Sequence, residues 1–219
     1  MDRDTTITKD SHSRILKKFK EEKIDVLVGT QMVSKGHDIE NVTLVGVLGV
    51  DSMLNMNDYL ASERAYSNIS QVCGRAGRGS KKGRTIIETT EPSNLILNYA
   101  CSHDYDGFYD EEIKFRKALD YPPFTDIIMI TLSAEDNKLL KSQADRLYNI
   151  FKNSNGLYKL FSPKVPFIEK INNKYRINLM LKAKVSKNVI DMIYTNLKKY
   201  EMVKDKKVDI SITRNPVNI

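Results

Sequence analysis

Apolar and polar positions along the chain follow two successive rhythms. In the first half, short apolar runs alternate with longer stretches at helical spacing. Residues 11–23 set Ile15, Leu16 and Phe19 on one face among lysines, with Ser11 or Ser13 as a candidate cap. Residues 25–29 (DVLVG) and 43–49 (TLVGVLG) are apolar enough to read as buried strands, and 84–89 (RTIIET) as a third. Helices are predicted over 58–73, 93–100 and 105–119. Strands separated by helices and bounded by glycine argue for a parallel α/β sheet.

The second half has a different order. Residues 126–133 (DIIMITLS) read as a strand, and 138–151 as a helix with Leu139, Leu140, Leu147 and Ile150 on one face. Strands are predicted over 166–171 and 175–181, joined by a turn at Asn172-Asn173. A helix over 185–200 would turn Val189, Met192, Ile193 and Leu197 inward, and 208–213 alternates as a last strand. This is the β-α-β-β-α-β order of the ferredoxin-like plan, which many functions share. Between the halves, Tyr121-Pro122-Pro123-Phe124 should stop the preceding helix, because proline lacks a donor and restricts its predecessor. The expected domains are therefore 1–120 and 121–219.

Composition narrows the class. At 41% hydrophobic and 29% charged, the 219 residues are those of a folded soluble protein, not a disordered one. No apolar run reaches the roughly 20 residues that span a bilayer, and Met1-Asp2-Arg3-Asp4 does not open a signal peptide. Two cysteines, Cys73 and Cys101, are too few for a disulfide scaffold or a structural zinc site, which fits a reducing cytoplasm. Charge is uneven. Residues 1–120 carry 17 Lys+Arg against 19 Asp+Glu, and residues 121–219 carry 18 against 9. The basic excess lies wholly in the second half, which suits a polyanion or an acidic partner as well as a merely lysine-rich surface. Tyr158, Phe161, Phe167 and Tyr175 lie among its lysines, where core packing is the commoner use and base stacking the other.

The chemistry is concentrated in Gln71-Val-Cys73-Gly74-Arg75-Ala-Gly77-Arg78-Gly79, at the end of one predicted helix and just before a strand. Its glycines allow a sharp turn and close approach to a ligand. Arg75 and Arg78 present planar forks suited to phosphate oxygens, the parts of an arginine finger. The alternative is a hydrated Gly/Arg surface loop. A second segment, Gly29-Thr30-Gln31-Met-Val-Ser-Lys35-Gly36-His37-Asp38, follows the predicted strand at 25–29. Ligand loops of α/β sheets emerge at such carboxyl ends. Thr30 and Gln31 suit a nucleic-acid backbone, and Asp38 a ribose, a bound water or a turn cap.

In pairing, order and spacing these segments resemble motifs V (T…KGxD) and VI (QxxGRxGR) of superfamily 2 helicases. The linker from Gly49 to Arg64, the opening Met1-Asp2-Arg3-Asp4-Thr5 and the Tyr121–Phe124 junction are similar to those of the primosomal replication-restart helicases. That resemblance implies a partial RecA-like second motor lobe followed by a small α+β domain. It implies an ATP-dependent 3′-to-5′ DNA helicase that restarts stalled forks and assembles the primosome. Arg75 and Arg78 would sit against the γ-phosphate, with Gln71 near the attacking water. Gly36, Asp38, Gly74 and Gly77 would approach the nucleotide, and Thr30, Gln31 and Lys35 the DNA. ATP and Mg²⁺ would be the cofactors. Forked DNA, the single-stranded-DNA-binding protein and other primosome proteins would be the partners, in the bacterial cytoplasm at the nucleoid. Leu60 and Asn57 stand where arginine and proline are expected, and Cys73 where alanine is usual, which makes it a buried, inert thiol.

Other parts of such an enzyme are missing. There is no G-x-x-x-x-G-K-[ST] segment. Asp110-Glu111-Glu112 lies in a helical pattern, where it reads as a solvated face, and no cysteine pairs match the family's zinc-binding insertion. His12 and His103 read as surface or capping residues, and no metal site is assigned. Phosphoryl transfer needs a phosphate cradle, Mg²⁺ ligands and the finger together. The chain is therefore expected to be a C-terminal part of a larger helicase that hydrolyses no ATP alone. Another superfamily 2 DNA translocase, and a docking module without catalysis, are the competing readings.

Overall fold

The computed structural model describes residues 11–22, 24–29, 42–56, 58–74, 83–154 and 156–217. The chain divides into two units, Met1–Glu111 and Glu112–Ile219. In the first, helix α1 (Ser11–Glu21) precedes strand β1 (Leu44–Val47), helices α2 (Val50–Leu54) and α3 (Ala61–Cys73), strand β2 (Arg84–Ile87) and helix α4 (Leu95–Ser102). Helix α5 (Tyr105–Ala118) runs from the first unit into the second.

Strands β1 and β2 pair in parallel, Leu44 opposite Arg84 through Val47 opposite Ile87. A parallel pair needs a long crossover, and α2 and α3 lie within it. Val50, Ala65, Tyr66, Ile69, Leu97, Ala100 and Phe108 form the core, drawn from α2, α3, α4 and α5. The Tyr66 ring stacks on Phe108 with centroids 4.4 Å apart. Asn94 caps α4, its side chain accepting from Ile96 N at 3.0 Å.

Two expectations for this unit are corrected. Residues 25–29 form no strand, and Val26 and Val28 are 71% and 76% exposed. An apolar run supplies a surface for a strand, but a ladder defines one, and among the described residues this sheet has only β1 and β2. Those two are not buried on both faces either. Exposed and half-buried positions alternate along each, with Leu44 and Ile86 outward.

Helix α5 ends before the prolines are reached. Asp120 adopts a left-handed backbone (φ 52°). Tyr121 N donates to Arg116 O at 2.8 Å and Asp120 N to Lys117 O at 3.4 Å, a Schellman stop. Lys182 Nζ donates to Leu119 O at 2.6 Å and lies 3.8 Å from the centre of the Tyr121 ring. Glu112 does not belong to a solvated face as expected. It receives Arg116 Nε at 2.8 Å, and both side chains are nearly buried.

The second unit continues with β3 (Asp126–Ala134), α6 (Asn137–Lys152), β4 (Lys159–Leu160), β5 (Lys170–Ile171), β6 (Lys174–Ala183), α7 (Lys187–Glu201) and β7 (Asp209–Arg214). Its sheet runs β4-β6-β3-β7 with antiparallel neighbours, and β5 pairs with β6. The long central strands are in register from Asp126 opposite Ala183 to Ala134 opposite Tyr175. Alternate residues Ile128, Ile130, Leu132 and Ala134 meet Leu140, Leu147 and Phe151 of α6 and Val189, Ile193 and Tyr200 of α7. Asp136 caps α6 by accepting from Lys138 N and Leu139 N, and Ser186 caps α7. Asn172 and Asn173 both have positive φ, as a two-residue hairpin turn requires.

The strand expected over 166–171 shrinks to Lys170–Ile171. Pro166 has no donor, and Asn178 of β6, which a continued ladder would set opposite Phe167, exchanges its backbone bonds with Lys164 instead, at 2.8 and 2.9 Å. Phe167 is fully exposed and takes no part in the core. Sequence pattern also missed buried polar positions on the inner helix faces. Gln143 Oε1 accepts from Tyr200 OH at 3.2 Å, and Asn196 Nδ2 donates to Ser154 Oγ at 3.0 Å. Such groups stay buried because each has a partner.

Among the described residues, no helix is long and apolar enough to cross a membrane. Leu147 is fully buried in the second core. Leu147→Ala should lower the unfolding free energy by about 2–5 kcal/mol. Exposed Ile190→Ala should change it by less than about 0.5 kcal/mol. Urea denaturation followed by circular dichroism measures both.

Candidate nucleotide and nucleic-acid site

The candidate residues belong to the first unit. At the carboxyl end of β1, Gly49 takes a left-handed backbone (φ 67°) and opens α2. This lets Asp51 enter the first turn of α2 with its carboxylate free to reach the end of β2. It accepts from Thr89 Oγ1 at 2.6 Å, Thr90 N at 2.8 Å and Thr90 Oγ1 at 2.6 Å. Those hydrogen bonds, Thr89 first, hold its pKa below the usual carboxylate value. The carboxyl ends of the two parallel strands are thereby tied together. The signal in the sequence was an acid at a helix start and a Thr-Thr pair just after a strand; neither is distinctive alone.

Asp58 prepares the next helix. Its side chain is 6% exposed, its Oδ1 accepts from Leu60 N at 3.0 Å, and its Oδ2 lies 2.8 Å from Arg64 Nη1. Leu60, half-buried, occupies the N-cap position of α3. The cation beside Asp58 therefore comes from one turn further on, at Arg64, and not from position 60. Asn57 lies outside the described residues.

Helix α3 carries Gln71 into its last turn, half-buried, and ends at Gly74. Gly74 N donates to Ser70 O at 3.1 Å. Its backbone (φ −73°, ψ 0°) is one that any residue adopts, and a Cβ there would meet its neighbours at 3.5 Å or more. The turn at position 74 thus does not by itself require glycine. Two contacts join this helix end to α4: Ser70 Oγ lies 2.8 Å from His103 Nδ1, and Cys73 Sγ lies 3.9 Å from Cys101 Sγ. His103 is the C-cap of α4, with φ 56°. Cys73 is half-buried, with burial pushing its thiol up to about 11, and it is not the sealed thiol expected.

Arg75, Gly77 and Arg78 lie outside the described residues, as do Thr30, Gln31, Lys35, Gly36 and Asp38. Of the ten candidates, the structure therefore describes Gln71 and Gly74, side by side at the root of the Gly/Arg segment. Among the described residues, no group of three or more His, Cys, Asp or Glu is placed to hold a metal ion. No Mg²⁺ chemistry is assigned to them.

The second unit has a shallow cavity of about 350 Å³ lined by Asp120, Tyr158, Lys159, Lys182 and Lys184 among others. Two of its cations are engaged internally, Lys182 by Leu119 O and Lys159 by Asp120 at 3.9 Å. Burial holds the Lys182 ammonium below its ordinary pKa.

Family models match both parts of the chain: the helicase conserved C-terminal domain over residues 3–80, and the primosomal protein N C-terminal domain over residues 117–217. The class is a helicase C-terminal lobe followed by a second, α+β domain. The replication restart protein PriA of Bacillus subtilis is 36% identical over 218 residues, covering 99% of this chain and 27% of the relative. That of Synechocystis is 36% identical over 185 residues, with 83% and 22% covered. That of Chlamydia muridarum is 39% identical over 152 residues, with 69% and 20% covered. The chain belongs to this replication restart family as the counterpart of its members' C-terminal part, and spans about a quarter of the length of these relatives. A designed protein, Foldit4, superposes on 41% of the chain at 9% identity and a TM-score of 0.33, too weak to bear on the fold.

The Asp51 lash has a pH signature. A carboxylate whose folded pKa is depressed stabilises the fold above its unfolded pKa, and that contribution is lost as pH falls through the lower folded value. Asp51→Ala should melt lower than the parent chain at pH 6, and the two melting temperatures should converge as pH falls below about 4. Thermal melts from pH 7 to pH 2.5 test this.

Proposed function

We propose that this chain is the arginine-finger and DNA-contact part of an ATP-dependent 3′-to-5′ replication restart helicase. The observation that carries the reading is the order of two matches on one chain. The helicase C-terminal model spans both motif segments, and the primosomal model follows it. In this reading Arg75 and Arg78 stabilise charge developing on the γ-phosphoryl group, and Gln71 orients the attacking water. Gly36, Asp38, Gly74 and Gly77 line the nucleotide, while Thr30, Gln31 and Lys35 hold the DNA backbone. Root and finger are then continuous, because Gln71 and Gly74 sit at the end of α3 immediately before Arg75.

The domains in this reading are 1–120, a partial RecA-like second lobe, and 121–219, a basic domain on the ferredoxin-like plan. The strand order β4-β6-β3-β7, with a helix after β3 and another after β6, supports that plan. The basic domain would grip forked DNA through phosphates and dock the single-stranded-DNA-binding protein or other primosome proteins. A cytoplasmic, nucleoid-associated location follows from that work. ATP and Mg²⁺ would be held mainly by the remainder of the motor, so the isolated 219 residues would bind DNA without hydrolysing ATP.

Two measurements test this. Anisotropy of the chain with labelled fork, duplex and single strand should favour the fork, with affinity falling steeply as salt rises. Binding indifferent to DNA shape would refute fork recognition and favour a protein-docking role. In a complete restart helicase carrying this segment, Arg75→Ala or Arg78→Ala should reduce DNA-stimulated ATP turnover by about 10³-fold or more. The isolated chain should show no turnover above buffer. Real turnover would mean that the phosphate cradle lies within these residues after all.

A further inference from the structure

We infer that Cys73 and Cys101 form a reversible intramolecular disulfide under peroxide, clamping the end of α3 to α4. They are the chain's only cysteines, 28 residues apart in sequence, yet their sulfurs lie 3.9 Å from each other. Both are free thiols, at the C-terminal ends of two helices that pack together. A disulfide needs its sulfurs about 2 Å apart, so the remaining approach is on the scale of a side-chain rotation. The Ser70–His103 hydrogen bond, one turn of α3 away, keeps the two helix ends in register while it does so.

The two thiols differ in the way such a reaction requires. Cys101 is exposed and meets the oxidant first. Its thiol gives up a proton, the thiolate attacks one peroxide oxygen, the O–O bond breaks, and the departing hydroxide takes up that proton as water, leaving Cys101 as the sulfenic acid. Cys73, half-buried with its thiol pKa pushed up to about 11 by burial, is slow towards solvent oxidants. Held beside Cys101, it loses its proton and attacks the sulfenic sulfur; the S–O bond breaks and a second water leaves. Two thiols have then given up two electrons, and peroxide has become two waters. A dithiol reductant reverses the change, as befits a transient disulfide in a reducing compartment.

The crosslink fixes the root of the Gly/Arg segment, since Gln71 and Gly74 flank Cys73. Any effect on nucleotide chemistry rests on the function proposed above; the disulfide itself does not, and is read independently. The 219-residue chain is treated with equimolar hydrogen peroxide, alkylated and mapped by non-reducing peptide mass spectrometry. The expected result is loss of two hydrogens in mass, a linked peptide pair containing Cys73 and Cys101, and return of both thiols with dithiothreitol. Cys73→Ala should leave Cys101 as a sulfenic acid trapped by dimedone, and Cys101→Ser should leave Cys73 unmodified at the same dose. Cys101 over-oxidised in the parent chain with Cys73 still alkylated would overturn the inference, as would disulfides formed only between copies. The parent chain's peptide map decides this even if a variant misfolds.

Discussion

The N-terminal unit depends on one helix face. Ala65, Tyr66 and Ile69 of α3 pack with Leu97 and Ala100 of α4 and Phe108 of α5, and this cluster is the only buried core among the described residues of that unit. Its sheet is too small to supply one, since β1 and β2 are four residues each and half-exposed. The helix that carries Gln71 and Gly74 is therefore also the helix that organises the unit. A disturbance at the motif's root is a disturbance of the core, and a loosened core misplaces the root.

Much of this was legible in the sequence. Helical spacing located α3, α6 and α7 within a few residues, because each buries a continuous stripe. The run at 25–29 was not legible, because three apolar residues say nothing about whether a neighbouring ladder exists. The run at 166–171 misled for a different reason: Lys164, from before the run, takes the backbone of Asn178 that a longer ladder would use. Buried Gln143 and Asn196 were invisible to a pattern that equates inward with apolar. For the candidate site, the motif residues announced themselves by composition. Their supports did not, since Asp51 and Arg64 acquire their partners only through turns that no periodicity encodes.

The second unit shows how a basic surface coexists with an ordered interior. Lys182 is nearly buried beside the Tyr121 ring, with its ammonium on the carbonyl of Leu119, just past the end of α5. Arg116 is buried too, shared between Glu112 and Pro122 O. These cations fasten the chain where it enters the sheet and are spent on that task. The excess positive charge available to a partner must come from the exposed lysines instead, so net charge overstates the cations free to bind.

The outer strands of the C-terminal sheet are also informative. One edge carries the two-residue strands β4 and β5; the other, β7, begins at Asp209, paired with Lys174, and ends at Arg214, paired with Asp126. Short strands and a charge-bracketed one are poor templates for another chain's backbone. The sheet is in this sense self-terminating: its own edges discourage a second copy from extending it strand by strand.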